Sequence, residues 1–155
     1  MRSAALSLVL TSAVNAEIIA GKVIKVADGD TVTILSDSKQ YKIRLAGIDT
    51  PEKTQPWYSQ AKKLTSSAVF NKQVKADVKD KDRYGRYVAD IYYGDKWLNL
   101  ELVKAGAAHV YERYTNDPHL FNAQAVAKAN KKGIWSLPAS QQTPPWEFRR
   151  NKRSN

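Results

Sequence analysis

Hydrophobic positions along this chain change period several times, and each change marks an element. Between Glu17 and Ile48, short β-branched runs are broken by polar turns. Val23, Ile24 and Val26 lead into Asp28-Gly29-Asp30, which carries a turn signal. Thr31 to Leu35 is β-branched and roughly alternating. After a polar Asp37-Ser38 turn, Tyr41, Ile43 and Leu45 alternate with Lys42, Arg44 and Ala46, which predicts a strand with two distinct faces. These runs together predict a three-strand meander. Pro51 and Pro56 bracket a loop, and from Trp57 to Asn71 the period becomes helical. Trp57, Ala61, Leu64 and Ala68 are expected inside, with Lys62 and Lys63 outside. Strand character returns at Val74 to Val78 and at Tyr87 to Tyr93, joined through Asp80 to Arg86. A second helix fits Leu98 to Ala105 and is stopped by Gly106. A third begins at Asp117-Pro118, runs through Leu120, Ala123 and Ala127, and stops at Lys131-Lys132-Gly133. The expectation is one α+β unit of five strands and three helices, with no internal repeat. A closed or nearly closed five-stranded sheet suits strands this short.

The two ends break the pattern. Arg2 precedes an apolar or small run from Ala4 to Val14, and Val14-Asn15-Ala16 puts small residues where a signal peptidase reads. The run is too short to span a bilayer. Residues 1–16 are therefore expected to be a signal peptide, and the protein to be exported to the periplasm or medium. The plain alternative is an N-terminal tail. The domain is expected over residues 17–138, with residues 139–155 as a Pro-rich, basic tail. Trp146 or Phe148 could dock on the domain, with the last few residues mobile.

Composition narrows the function. A chain of 155 residues suits one domain, and 43% hydrophobic residues suffice for one core. The 25 Lys and Arg against 15 Asp and Glu leave +10, which favours a polyanionic partner such as nucleic acid. No cysteine is present, so disulfides, zinc-thiolate sites and thiol nucleophiles are excluded. No amphipathic basic helix supports a membrane-surface role.

Three clusters hold candidate chemistry. Asp28-Gly29-Asp30-Thr31 places two acids two residues apart, on one side of extended chain; alone it is an ordinary Asp-Gly turn. Arg44 through Glu52 (Arg-Leu-Ala-Gly-Ile-Asp-Thr-Pro-Glu) ends a strand and enters a loop whose path Gly47 and Pro51 constrain. Asp82-Arg83-Tyr84-Gly85-Arg86 reads in isolation as a charged hairpin, in which Gly85 lets Arg86 be aimed. Taken together they form a parts set. Asp30 and Asp49 are oxygen donors with no nearby His or Cys, which favours calcium or magnesium over zinc. Arg44 and Arg86 are planar forks that match phosphate oxygens. Glu52 is a carboxylate able to accept a proton from water. Metal-assisted phosphodiester hydrolysis needs such a set.

These three motifs, in this order and at these separations, resemble the staphylococcal nuclease family, and the element order from about Glu17 to Trp135 agrees. The resemblance implies an OB-fold five-stranded barrel with three helices. It implies calcium held by Asp30, Asp49 and the backbone carbonyl of Thr50. It makes Glu52 the general base or water-orienting group, with Arg44 and Arg86 binding phosphate and stabilising transition-state charge. Tyr84 matches a family tyrosine beside the motif arginine, and Arg83 stands where relatives often carry Lys, keeping the charge; both are expected to contact substrate. Tyrosines between Tyr111 and Tyr114 fall where relatives stack a base. The implied activity is cleavage of DNA and RNA with little sequence preference, leaving 3′-phosphate ends. A monomer without an obligate protein or membrane partner is expected. Lys53, Lys62, Lys63 and Lys72 could draw a polyanion inwards. The competing expectation is a non-catalytic OB-fold module that binds single strands or a protein. Arg44, Glu52 and Arg86 argue against it, because a pure binder has no need of a carboxylate aimed at phosphate.

Overall fold

The computed structural model describes residues 17–155; the expected signal segment lies outside the described residues. In chain order the strands are β1 (Glu17–Asp28), β2 (Thr31–Ser36), β3 (Lys39–Leu45), β4 (Ile48–Asp49), β5 (Gln73–Lys81), β6 (Tyr87–Tyr93), β7 (Lys96–Trp97) and β8 (His109–Val110). The helices are α1 (Tyr58–Val69), α2 (Leu98–Lys104), α3 (Pro118–Ala129) and α4 (Pro145–Arg153). Strands β1, β2 and β3 form the expected antiparallel meander. The tight β2–β3 connection works because Asp37 and Ser38 both take left-handed backbone angles, φ 48° and 64°, which matches the strand twist.

Strand β1 is long enough to serve two partners. Its first half, Glu17 to Lys22, pairs with β5, and Lys22 to Asp28 pairs with β2. Irregularities between Val23 and Lys25 and between Val26 and Asp28 bend it from one pairing to the other. Just before the bend Gly21 has no room for a side chain: a Cβ there would lie 2.1 Å from the Leu35 carbonyl oxygen. The sheet runs β3-β2-β1-β5-β6-β7, and a parallel pairing of β3 with β6 closes its five main strands into the expected OB-like barrel. Closure leaves the Ile43 and Leu45 face of β3 inside, and both are buried with Ile34, Ile91 and Val23.

Asn99 ties α2 to the barrel seam. Its buried amide donates to the Ala46 carbonyl at 2.9 Å and the Ala89 carbonyl at 3.3 Å, and accepts from Ile91 N–H at 3.1 Å. The third helix starts as expected: Asp117 accepts from His119 N–H, with Pro118 in the first turn.

Two expectations need correction. The inner face of α1 is Ala61, Thr65 and Val69 rather than the Leu64 and Ala68 stripe, and Leu64 is exposed. The reason is polar: the Thr65 hydroxyl donates to the Gly29 carbonyl at 2.5 Å, so a threonine takes the central inward position. The second correction is a fourth helix. The tail forms α4, opened by Pro144-Pro145 and packed on the domain, in addition to the three helices expected. Among the described residues no helix is long and apolar enough to cross a membrane.

Candidate active site

The β1–β2 turn and the loop after β3 meet at one end of the barrel. Leu45 N–H donates to the Asp30 carbonyl at 2.9 Å, and Thr50 N–H donates to Asp30 Oδ2 at 2.9 Å. Gly29 sits against Thr50 so tightly that a Cβ would lie 3.0 Å from Thr50 Oγ1. Gly47 turns the chain at φ +70°, a conformation that favours glycine. Strand β4 then pairs Asp49 with His109 of β8, which fixes the height of the carboxylate. Glu52 follows Pro51, and its N–H is capped by Gln55 Oε1 at 2.9 Å. Asp30, Asp49, Glu52 and Arg44 thereby line one open cleft of about 1380 Å³.

Two carboxylates in this cluster are buried in earnest: Asp30 is 6% exposed and Asp49 is 1%. Burial would push both upwards in pKa. For Asp30, Arg44 at 3.3 Å and the Thr50 N–H bond outweigh burial and hold the carboxyl below its usual value. For Asp49, burial wins and pushes the carboxyl up to about 6, although Arg149 and Arg44 oppose it. The Arg44 guanidinium has several partners. It donates to the Leu45 and Ile48 carbonyls at 3.0 Å each and to Asp49 Oδ1 at 3.0 Å. Arg44 thus ties its own loop into shape as well as facing the cleft, as its place on β3 opposite Ile43 and Leu45 requires.

The donor chemistry around Asp30 and Asp49 fits a hard cation. All donors are oxygen, and the buried Thr50 hydroxyl beside them has no hydrogen-bond partner. Among the described residues no group of three or more His, Cys, Asp or Glu side chains could hold a metal ion. A cation here would be held by two carboxylates, with backbone oxygen and water completing its shell, an arrangement open to calcium or magnesium.

The third motif stands on the same cleft but does not join the carboxylates. Arg86 Nε bonds Asp82 Oδ2 at 2.6 Å, and Asp82 Oδ1 also caps the Tyr84 and Arg86 N–H groups. Among the described residues Arg86 pairs with Asp82 and not with Asp30, Asp49 or Glu52. Tyr84 projects into solvent, flanked by the guanidiniums of Arg83 at 4.9 Å and Arg86 at 5.4 Å from its ring centre. Lys53, Lys62, Lys63 and Lys72 do not line the cleft; its basic wall is Lys42, Lys79, Arg83, Arg113 and Arg153 beside Arg44, Arg86 and Arg149. Tyr111 and Tyr114 also line it, packed edge to face at 4.7 Å.

Sequence reasoning missed the cleft residue that contacts Asp49 and Glu52 from the tail. Arg149, carried by α4, donates from Nη1 to Glu52 Oε1 at 2.5 Å and from Nη2 to Asp49 Oδ2 at 2.8 Å. Its only sequence signal was membership of a basic run in the tail. The aromatic near it was better marked, and Trp146 does dock: its ring stacks on Tyr111 at 4.5 Å and 5°.

Several known proteins are similar to this chain. Residues 42–137 match the staphylococcal nuclease homologue family. An uncharacterized endonuclease of Haemophilus influenzae is 41% identical over 135 residues, spanning 86% of this chain and 75% of that protein. An uncharacterized endonuclease of Escherichia coli is 39% identical, spanning 85% of this chain and 86% of its own length. A micrococcal nuclease of Shigella flexneri is 30% identical over 145 residues, spanning 86% of this chain and 82% of its own.

Proposed function

The chain belongs to the staphylococcal nuclease family and is a nuclease; from that premise we propose that it is a calcium-dependent, sugar-non-specific phosphodiesterase that cleaves DNA and RNA to 3′-phosphate products. The observation that carries the proposal is the meeting of Glu52, Arg44 and the buried Asp30–Asp49 pair in one cleft that Arg83, Tyr84 and Arg86 also line.

The proposed roles follow from what each group can do. Glu52, partly exposed to the cleft, accepts a proton from the water that attacks phosphorus. The bond from phosphorus to the 5′-oxygen breaks, the departing oxygen takes up a proton from solvent to become a 5′-hydroxyl, and phosphate stays on the 3′ side. Arg44 and Arg86 present guanidinium forks to the phosphoryl oxygens, where negative charge grows in the transition state. Asp30, Asp49 and the Thr50 carbonyl would hold calcium, which when bound supplies positive charge to polarise the phosphate. Tyr84 and Arg83 offer a flat, cationic rim against which a nucleotide can lie. We further propose that the protein is exported, on the strength of the N-terminal sequence alone, and that it acts as a monomer.

The direct experiment is digestion of single-stranded DNA and of RNA with added calcium, with magnesium, and with chelator. Calcium-dependent cutting of both, abolished by chelator, is expected. Cutting that ignores chelator would remove the cation from the proposal, and cutting of one nucleic acid alone would remove the sugar tolerance.

A further inference from the structure

The C-terminal helix is docked on the cleft by contacts that owe nothing to Arg149. Gln55 Nε2 donates to the Thr143 carbonyl at 2.9 Å, and the His109 ring bonds the Gln142 carbonyl at 3.3 Å, so the chain entering α4 is tied down on two sides. Pro145 is buried. Trp146 stacks on Tyr111 and meets His109 edge on at 5.8 Å. Arg149 lies three residues further, on the same helix face as Trp146, and that face is turned into the cleft. Arg153, one turn beyond Arg149, also lines the cleft, whereas Arg150 and Lys152, with only a distant pairing of Arg150 to Glu147 at 4.0 Å, leave the other faces to solvent.

What Arg149 touches is specific. Its two terminal nitrogens take both oxygens of Asp49, at 2.8 and 3.2 Å, while Nη1 also takes Glu52 Oε1. Those are the oxygens that a cation on Asp49 and a water on Glu52 would need. Charge counting gives the consequence. Asp30, Asp49 and Glu52 against Arg44 and Arg149 leave one net negative charge; adding a divalent cation would turn that into one net positive charge. Without Arg149, the same cation would take the cluster from two negative charges to none. A guanidinium and a cation cannot both sit at contact distance on one buried carboxylate without repelling each other in a poorly screened place.

We propose that Arg149 is a tethered counter-ion that competes with the divalent cation for Asp49 and holds Glu52 until the cation displaces it, so that α4 sets the cation concentration at which the cleft becomes competent. This rests on the cation reading of the preceding subsection. Arg149 acts through Asp49 and Glu52 and is in that sense a positioning residue; its partners, not Arg149 itself, meet cation and water.

The test is calorimetric titration of the full chain with calcium alone, for wild type, Arg149→Ala, Arg149→Gln and Arg149→Lys, paired with the calcium concentration giving half-maximal digestion. Calcium affinity should tighten by about tenfold or more in Arg149→Ala and Arg149→Gln, and half-maximal digestion should move to lower calcium in step. Arg149→Lys, which keeps the charge, should stay near wild type. The Gln variant retains most of the side chain's reach, so the comparison survives if the Ala variant folds poorly. Unchanged or weaker calcium binding in the neutral variants, with a fall in rate at saturating calcium, overturns the inference and makes Arg149 a phosphate clamp, while the nuclease reading stands. Absence of calcium binding in wild type and variants alike overturns the cation reading and the competition together.

Discussion

Arg44→Ala separates what Arg44 does for the fold from what it does for chemistry. In the folded chain Arg44 offsets two carboxylates whose side chains are 9% and 1% exposed, and its own side chain is 15% exposed. Removing one partner of a buried ion pair costs about 3–5 kcal/mol, because the other charge stays buried. Arg149 still holds Asp49, which favours the low end, whereas the Leu45 and Ile48 carbonyls lose their donor, at about 1 kcal/mol each. A loss of ~4 kcal/mol in cation-free buffer is the expectation, or a drop in Tm of roughly 8–16 °C for a domain of this size. Calcium should give the variant more stabilisation than it gives wild type, since the carboxylates have lost a competing positive charge. Digestion should nevertheless stay down by roughly 10²–10³-fold with calcium saturating, as expected for a missing transition-state clamp. Urea unfolding with and without calcium, alongside a single-strand digestion assay, measures all three. A cation-free loss under ~1 kcal/mol, or a calcium increment no larger than in wild type, would refute the account of Arg44 as counter-ion to Asp30 and Asp49.

Glu52→Gln keeps the shape and a hydrogen bond to Arg149 but cannot take a proton; kcat should fall by roughly 10²–10⁴-fold with KM little changed, and a wild-type kcat would remove Glu52 as base. Arg86→Ala, on an exposed hairpin, should leave Tm near wild type and lower kcat/KM by about 10²–10³-fold; a large Tm loss with normal kinetics would make it a turn residue only. His109 carries a pH signature. Burial pushes its ring down to about 4 from an ordinary 6.5. Its stabilising contribution is full above pH 6.5 and is lost as pH falls towards 4, because the unfolded chain takes a proton that the folded chain refuses. The window is worth ~3 kcal/mol. His109→Gln should therefore lose less stability than wild type between pH 7.5 and 4.5, and parallel profiles would contradict the assignment.

The site was legible in proportion to how local its parts are. Asp30, Asp49, Thr50 and Glu52 sit in two short turns rich in Gly and Pro, and strand alternation alone turns Arg44 away from the core. Arg86 was legible as an aimed residue because Gly85 and Asp82 shape its hairpin, and the structure adds that Asp82 holds the guanidinium. The inward face of α1 was not legible. A helical stripe of Leu64 and Ala68 is the better hydrophobic reading, and only the Gly29 carbonyl behind the acidic turn, which accepts from the Thr65 hydroxyl, explains why Thr65 displaces it.

The sequence by itself determined the five main strands and the first three helices, their order, the oxygen-only donor types and the resemblance to a nuclease family, because each is written in periods and motifs a few residues long. Tertiary structure decided the rest. Closure of β3 on β6 brought the Asp82–Arg86 hairpin to the cleft across more than 30 residues of chain. Packing also decided Arg149: it stands 97 residues from Glu52 and 100 from Asp49, within a run of basic residues indistinguishable by composition from a solvated tail. Its place depends on Trp146 finding the face of Tyr111 and Thr143 finding Gln55. Contacts of that separation leave no periodic trace, so a residue of a basic tail in the sequence became a second guanidinium on Asp49 only when the chain was folded.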